Sequence, residues 1–248
     1  MNDAGVEFAN VSYTPSSGTS VLNDISLALV AGTTTALLGR SGSGKTTLLR
    51  MVNALVRPTS GLVKVGGRST LEWPVLELRR SIGYVIQETG LFPHWTVERN
   101  AGLALELAGK PKEAIASRVR EMLHAAGLDP GLSQRYPWQL SGGQRQRVGL
   151  ARALAGDPGV LLMDEPFGAL DPMTRAEMQT MLRALLEWVG KTVLLVTHDL
   201  NEALFLAERV VFLEGGRVVA DVRSGDVLAS ADPYVQSYVA ATQREVRR

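Results

Sequence analysis

Residues 39–46, Gly39-Arg40-Ser41-Gly42-Ser43-Gly44-Lys45-Thr46, constrain this chain more than any other stretch. They match the eight-residue pattern of a phosphate-wrapping loop, which has meaning only between a strand and a helix. Both flanks are present. Thr34-Thr35-Ala36-Leu37-Leu38 reads as a short buried strand, and from Lys45 to Val56 the apolar spacing becomes helical, with Pro58 as its stop. The glycines let backbone N–H groups turn inward around phosphate oxygens, where a side chain would block them. The helix adds its positive dipole end. In such a site Lys45 reaches the β- and γ-phosphates and the Thr46 hydroxyl ligates Mg²⁺. Chance matches arise in about one such sequence per hundred or fewer. Gly39 to Thr46, with the adjoining Thr47, are therefore the candidate contacts for the nucleotide.

The rest of the chain alternates strands with helices. Val6, Phe8 and Val11 fall on one strand, and Ile25, Leu27 and Leu29 follow a period of two, with a Pro/Ser/Gly turn at Thr14 to Ser20 between them. Leu62 to Val65 and Ile82 to Ile86 read as a strand pair bracketing a turn at Gly66-Gly67. From Thr96 to Ala126 the pattern is mostly helical, with Ile115, Val119, Leu123 and Ala126 on one face and His124 just off it. A further helix is expected from Gly143 to Ala155. Strand-type runs return at Val160–Met163, Val193–Val196 and Val210–Leu213, separated by helical patterns at Thr174–Trp188 and Asn201–Glu208. Strands alternating with helices imply parallel βαβ units. The charged tail from Thr242 to Arg248 is expected to fray.

Composition narrows the function classes. The chain has 248 residues, 45% hydrophobic and 21% charged, which excludes wholesale disorder and allows a substantial core. With 26 basic against 25 acidic residues, there is no electrostatic case for nucleic acid. The absence of cysteine removes disulfides, thiolate metal sites and cysteine nucleophiles. No stretch approaches the roughly 20 apolar residues of a membrane-spanning helix, and MNDAGVEFAN lacks the features of a secretory signal.

Val160-Leu161-Leu162-Met163-Asp164-Glu165 is an apolar strand ending in two acids, where ligands of open α/β sheets bind. Asp164 is suited to holding Mg²⁺, directly or through water. Glu165 is placed to polarise an attacking water as general base. A second strand of this kind, Thr192 to Thr197, ends in His198. Alone, such a histidine is as often structural as functional.

Leu140-Ser141-Gly142-Gly143-Gln144, opening a helix shortly before the acidic strand, resembles the signature of the ATP-binding cassette (ABC) ATPases, and the likeness covers nearly the whole chain. The resemblance implies a P-loop NTPase of the α/β class. Its parts would be a mostly parallel RecA-like core sheet, an N-terminal antiparallel β subdomain and a helical insertion over residues 88–157, all within one domain spanning 1–248. It also assigns further residues. Tyr13 corresponds to the aromatic that stacks on adenine, and Gln87 to the glutamine linking nucleotide and its metal to the transporter. Ala169-Leu170-Asp171 resembles the D-loop, and His198 the switch histidine. Ser141, Gly142, Gly143 and Gln144 would face the γ-phosphate held by a second copy in a head-to-tail dimer. Ser141 to Gly143 open a helix, so they form a second anion-binding N-terminus. Lys45, Gln87, Glu165 and His198 are the expected catalytic set, with Thr46, Gln87 and Asp164 around the metal.

Ile82-Gly83-Tyr84-Val85-Ile86-Gln87, followed by Gly90-Leu91-Phe92-Pro93-His94-Trp95-Thr96-Val97, resembles the osmoprotectant importer ATPases that serve glycine betaine, choline or carnitine. That branch implies ATP and Mg²⁺, integral-membrane permease subunits as partners, and a substrate-binding protein acting indirectly. It also implies a peripheral place on the cytoplasmic face of the membrane. Leu91, Phe92 and Trp95 would supply an apolar wall for a permease helix, with internal packing as the alternative. His94 has no partner at metal-ligand spacing. The chain is expected to leave no room for the regulatory domains some of these ATPases carry. Two alternatives stand beside this reading: a cassette serving another substrate, such as an amino acid or phospholipid, and a soluble regulatory ABC ATPase.

Overall fold

The computed structural model describes residues 5–87 and 89–245, and side chains to Thr242. Ten strands and eight α-helices follow in chain order among these residues. They are β1 (Val6–Tyr13), β2 (Leu22–Leu29), β3 (Thr34–Leu38), α1 (Lys45–Val52), β4 (Ser60–Val65), β5 (Arg68–Ser69), α2 (Val75–Arg80) and β6 (Ile82–Val85). There follow α3 (Val97–Leu107), α4 (Lys112–Ala125), α5 (Gly142–Ala155), β7 (Val160–Asp164) and α6 (Pro172–Val189). The last are β8 (Thr192–Thr197), α7 (Leu200–Leu206), β9 (Arg209–Glu214), β10 (Arg217–Arg223) and α8 (Pro233–Glu245). Two compact units divide them: one holds residues up to Leu78 and from Thr192, the other Arg79–Lys191.

In the first unit, β1 pairs antiparallel with β2 and β4, forming the expected N-terminal antiparallel sheet. Ile25, Leu27 and Leu29 are buried on β2 as their alternation requires, and Val6, Phe8 and Val11 are buried on β1, where an irregularity at Asn10, φ 50°, brings Val11 back into step. β3 lies parallel to both β8 and β9, and β10 closes on β9 as an antiparallel hairpin. Every residue of β3 and β8 is buried, which is why both read as continuous rather than alternating runs. In the second unit β6 and β7 pair in parallel, and α3, α4 and α5 form the helical insertion.

Several local expectations are corrected. The helix after the phosphate loop ends at Val52 rather than Val56. Ala54 takes a positive φ of 52°, and the N–H groups of Ala54 and Leu55 turn back to the carbonyls of Met51 and Arg50, a Schellman closure. The strands Leu62–Val65 and Ile82–Ile86 do not pair. Gly66 and Gly67 have φ of 58° and 74°, a two-residue turn that pairs Val65 with Arg68 at once. β6 instead pairs with β7, and a short helix, α2, intervenes. The helix expected to reach Glu208 ends at Leu206, because the Glu208 carboxylate accepts the Thr34 N–H at 2.6 Å and its own N–H donates to the Thr34 carbonyl at 3.0 Å. The tail expected to fray is helical in α8 as far as Glu245; residues 246–248 lie outside the described residues.

The helical insertion is organised around Asn100, which is wholly buried on α3. Its Oδ1 accepts the Phe92 N–H at 2.8 Å. Its two amide hydrogens are shared among the carbonyls of Phe92, Trp95 and Thr96 at 3.0–3.1 Å. One side chain thus satisfies the turn that carries the aromatic group. Asn100→Leu keeps the branched shape but leaves those backbone groups unsatisfied, and is expected to cost about 3 kcal/mol. Urea unfolding read by tryptophan fluorescence measures it; a change below about 1 kcal/mol would refute the role.

Candidate nucleotide site

The phosphate loop leaves β3 at Gly39, where a Cβ would stand 2.2 Å from the Leu213 carbonyl oxygen on β9. Only glycine fits that approach. Gly42 and Gly44 take φ of 80° and 102°, the left-handed region that lets successive N–H groups converge. Gly44 is the N-cap of α1, and no side chain caps it. A glycine at this position has no side chain to set against the first turn of α1, the arrangement found where a helix N-terminus meets an anion.

Two observations within the loop fit a phosphate ligand. Ser43 is 5% exposed and its Oγ has no hydrogen-bond partner among the described residues. The Lys45 ammonium donates to the carbonyls of Gly39 at 2.7 Å and Arg40 at 3.0 Å, which holds it over the loop. Arg40 and Ser41 are exposed, while Thr46 and Thr47 are half-buried on the first turn of α1.

Tyr13 lies at the end of β1, half-buried, and is paired with Leu22. Its carbonyl accepts the Val21 N–H at 2.8 Å, and Val21 and Leu22 are the residues that crowd Gly44. The strand pairing thus brings the Tyr13 segment beside the N-terminus of α1. His198 follows β8 and is exposed. With Gly39, Arg40 and Ser41 it lines a pocket of about 330 Å³ whose opposite wall is α8.

In the second unit, Asp164 ends β7 and is 6% exposed, with the Tyr84 hydroxyl donating to its Oδ2 at 3.4 Å. Glu165, next in sequence, has φ of 46°. A left-handed conformation is uncommon for a non-glycine residue and is strain of the kind stored at functional sites. Gly168 lies between two expected catalytic side chains. A Cβ there would be 3.8 Å from both Gln87 Nε2 and Glu165 Oε2. The backbone after Glu165 is held by buried Gln146, whose Nε2 donates to the Pro166 carbonyl at 2.6 Å.

Ser141 is the N-cap of α5. Its Oγ accepts the Gln144 N–H at 3.2 Å, and Gln144 Oε1 accepts the Ser141 N–H at 2.9 Å. This reciprocal box occupies the Gln144 side chain, whereas the Ser141 hydroxyl accepts and keeps a proton to donate. Gly142 is exposed and Gly143 buried, where a Cβ would stand 2.8 Å from Thr174 Cγ2. Asp171 caps α6 by accepting the N–H groups of Met173 and Thr174. Hydrogen bonding by the Thr174 side chain, then by those N–H groups, holds its carboxyl below the usual range. Phe92, His94 and Trp95 form a ring cluster, with Phe92 and Trp95 centroids 4.2 Å apart and Arg99 stacked over Trp95 at 4.2 Å.

Sequence reasoning missed the roles of Tyr84, Gln146 and Tyr238. Each enters through strand pairing or helix docking that a linear reading does not reveal.

A glycine-wrapped, uncapped helix N-terminus at the end of a buried parallel strand defines a P-loop nucleotide-binding protein of the α/β class. The sequence profile described as ABC transporter matches residues 22–168. The chain belongs to the ABC transporter family. It is an ABC ATPase cassette homologous to osmoprotectant-import ATP-binding subunits. It is 45% identical over 98% of its length to the glycine betaine uptake system ATP-binding protein YehX of Escherichia coli, covering 79% of that protein. It is 42% identical over 93% of its length to the choline transport ATP-binding protein OpuBA of Bacillus subtilis, of which it spans 61%. The ATP-binding cassette MJ0796, solved as a dimer in a post-hydrolysis state with ADP and Pi, superposes with a TM-score of 0.79 at 35% identity. That match covers 88% of this chain and 98% of MJ0796.

Proposed function

We propose that this chain is the ATP-hydrolysing subunit of an osmoprotectant importer, working as a head-to-tail homodimer bound to separate membrane permease subunits. The observation that carries the hydrolytic part is the phosphate loop, with its uncapped α1 N-terminus and its buried Ser43 hydroxyl lacking a partner. Relatives named for glycine betaine and choline transport support the substrate class.

In this reading Tyr13 stacks on adenine, residues 39–47 cradle the phosphates, and Lys45 neutralises charge on the transferred group. Thr46, Asp164 and Gln87 hold Mg²⁺; three His, Cys, Asp or Glu side chains do not cluster among the described residues, and Mg²⁺ commonly takes only one or two carboxylates besides phosphate and water. When bound, the ion neutralises developing phosphate charge. Glu165 accepts the proton of the attacking water, and His198 donates a hydrogen bond to the γ-phosphate. Ser141, Gly142 and Gly143 cover the γ-phosphate of the second copy, with Gln144 and Asp171 supporting that face. Among the described residues no helix is long and apolar enough to cross a membrane. The subunit's place is then peripheral, on the cytoplasmic face beside its permease, with a substrate-binding protein delivering the osmoprotectant.

Lys45→Ala removes a charge-assisted donor to phosphate and is expected to weaken ATP binding about 10- to 100-fold. Titration with a fluorescent ATP analogue measures it; unchanged affinity would overturn the phosphate assignment. For the substrate class, reconstitution with its permease and substrate-binding protein should give ATP-dependent uptake of radiolabelled glycine betaine, choline or carnitine. Uptake of an amino acid instead would overturn the osmoprotectant part and leave the ATPase part standing.

A further inference from the structure

The segment carrying His198 is gripped from the far end of the chain. His198 follows Thr197, whose strand β8 is paired with β3 so that Thr197 lies opposite Leu38, the residue before the phosphate loop. On its other side Leu38 is opposite Phe212 of β9. Phe212 is fully buried, and the Tyr238 ring of α8 packs edge-on against it, centroids 5.5 Å apart at 70°. From that anchor the Tyr238 hydroxyl donates to the His198 carbonyl oxygen at 3.1 Å. Two strand spacings amount to about 10 Å, so one side chain bridges the ends of three strands directly beside the loop.

Helix α8 is itself fixed. Asp232 caps it by accepting the N–H groups of Tyr234 and Val235. Val235 is fully buried in the cluster of Ala36, Leu38, Val210 and Phe212. On the chain side of the histidine, Asp199 is tied by its own N–H to Thr197 Oγ1 and by its carboxylate to the first turn of α7. Residue 198 thus sits between a strand end and a helix cap, and Tyr238 restrains the carbonyl in between.

We infer that Tyr238 is a positioning residue for His198, through which the C-terminal helix sets the efficiency of ATP hydrolysis. This rests on the hydrolytic reading of His198 proposed above. Tyr238→Phe deletes the hydroxyl and keeps the ring on Phe212. One lost net hydrogen bond corresponds to a kcat lower by about five- to tenfold. KM for ATP and the thermal midpoint should stay within twofold and about 2 °C.

The test compares steady-state ATPase kinetics of Tyr238→Phe, His198→Ala and the double variant, with Tyr234→Phe as control. Tyr234 sits one turn earlier on α8, and burial and a hydrogen bond to Glu214 push its hydroxyl up to about 12. It should leave kcat unchanged. If Tyr238 acts through His198, its substitution has no further effect once His198 is alanine. An additive loss in the double variant would overturn the inference, as would an equal loss in Tyr234→Phe, which marks general loosening of α8. Wild-type kcat in Tyr238→Phe while His198→Ala is impaired overturns the inference alone. Full activity of His198→Ala overturns the reading of His198 and the inference with it.

Discussion

Glu165→Gln is expected to keep ATP binding, to lower hydrolysis by at least about 100-fold, and to accumulate an ATP-bound dimer. General-base catalysis contributes typically about 10²- to 10⁴-fold, and the amide cannot accept a proton from water. The substitution preserves volume and the left-handed backbone need not change, so the loss falls on chemistry rather than folding. Asp164 beside it remains available to the metal. Glu165 follows β7 directly with φ of 46°, and Gly168 keeps the space beside its carboxylate and Gln87 clear of a side chain. Phosphate release gives the rate, and size-exclusion chromatography with and without ATP gives the dimer. Turnover like wild type would remove Glu165 from the mechanism.

Ser141→Arg is expected to abolish turnover while leaving nucleotide affinity of an isolated chain within about twofold. The serine is the exposed N-cap of α5, so the long cation is tolerated in one chain. It destroys the capping box with Gln144, at about 1 kcal/mol. At the face of a second copy it puts bulk where the γ-phosphate must meet N–H groups and a hydroxyl. Ser141→Ala supplies the graded case. It removes the hydroxyl, both as cap and as donor, without adding bulk and should retain partial activity, which separates steric blocking by the arginine from loss of the serine itself. Retained turnover in Ser141→Arg would refute the trans role of this segment.

The features most legible in the sequence were those that short-range chemistry enforces. The phosphate loop needs Gly39 against β9 and left-handed glycines at 42 and 44, and those needs are written as adjacent letters. The buried runs of β3, β7 and β8 were found because a strand covered on both faces has no polar alternation to hide it. The box of Ser141 and Gln144 follows from a three-residue spacing. Local patterns mislead where a nearer pairing or a backbone conformation overrides them. Gly66-Gly67 stands between two strand-like runs, but its two positive-φ glycines close a hairpin onto Arg68 immediately. The apolar spacing after the loop continues through Ala54, and alanine carries no sign that it adopts φ of 52°.

The sequence by itself therefore determined the class of ligand, the strand–loop–helix that holds it, and the family, because each depends on residues within a few positions of one another. The tertiary structure decided which distant residues serve that site. Tyr84 reaches Asp164 across a parallel pair, Gln146 pins the backbone beyond Glu165, and Tyr238 restrains His198 from a helix forty residues later. Those partnerships come from strand order and register, which bring residues of large sequence separation within hydrogen-bonding distance. A linear pattern carries the period of each element but not which elements lie side by side.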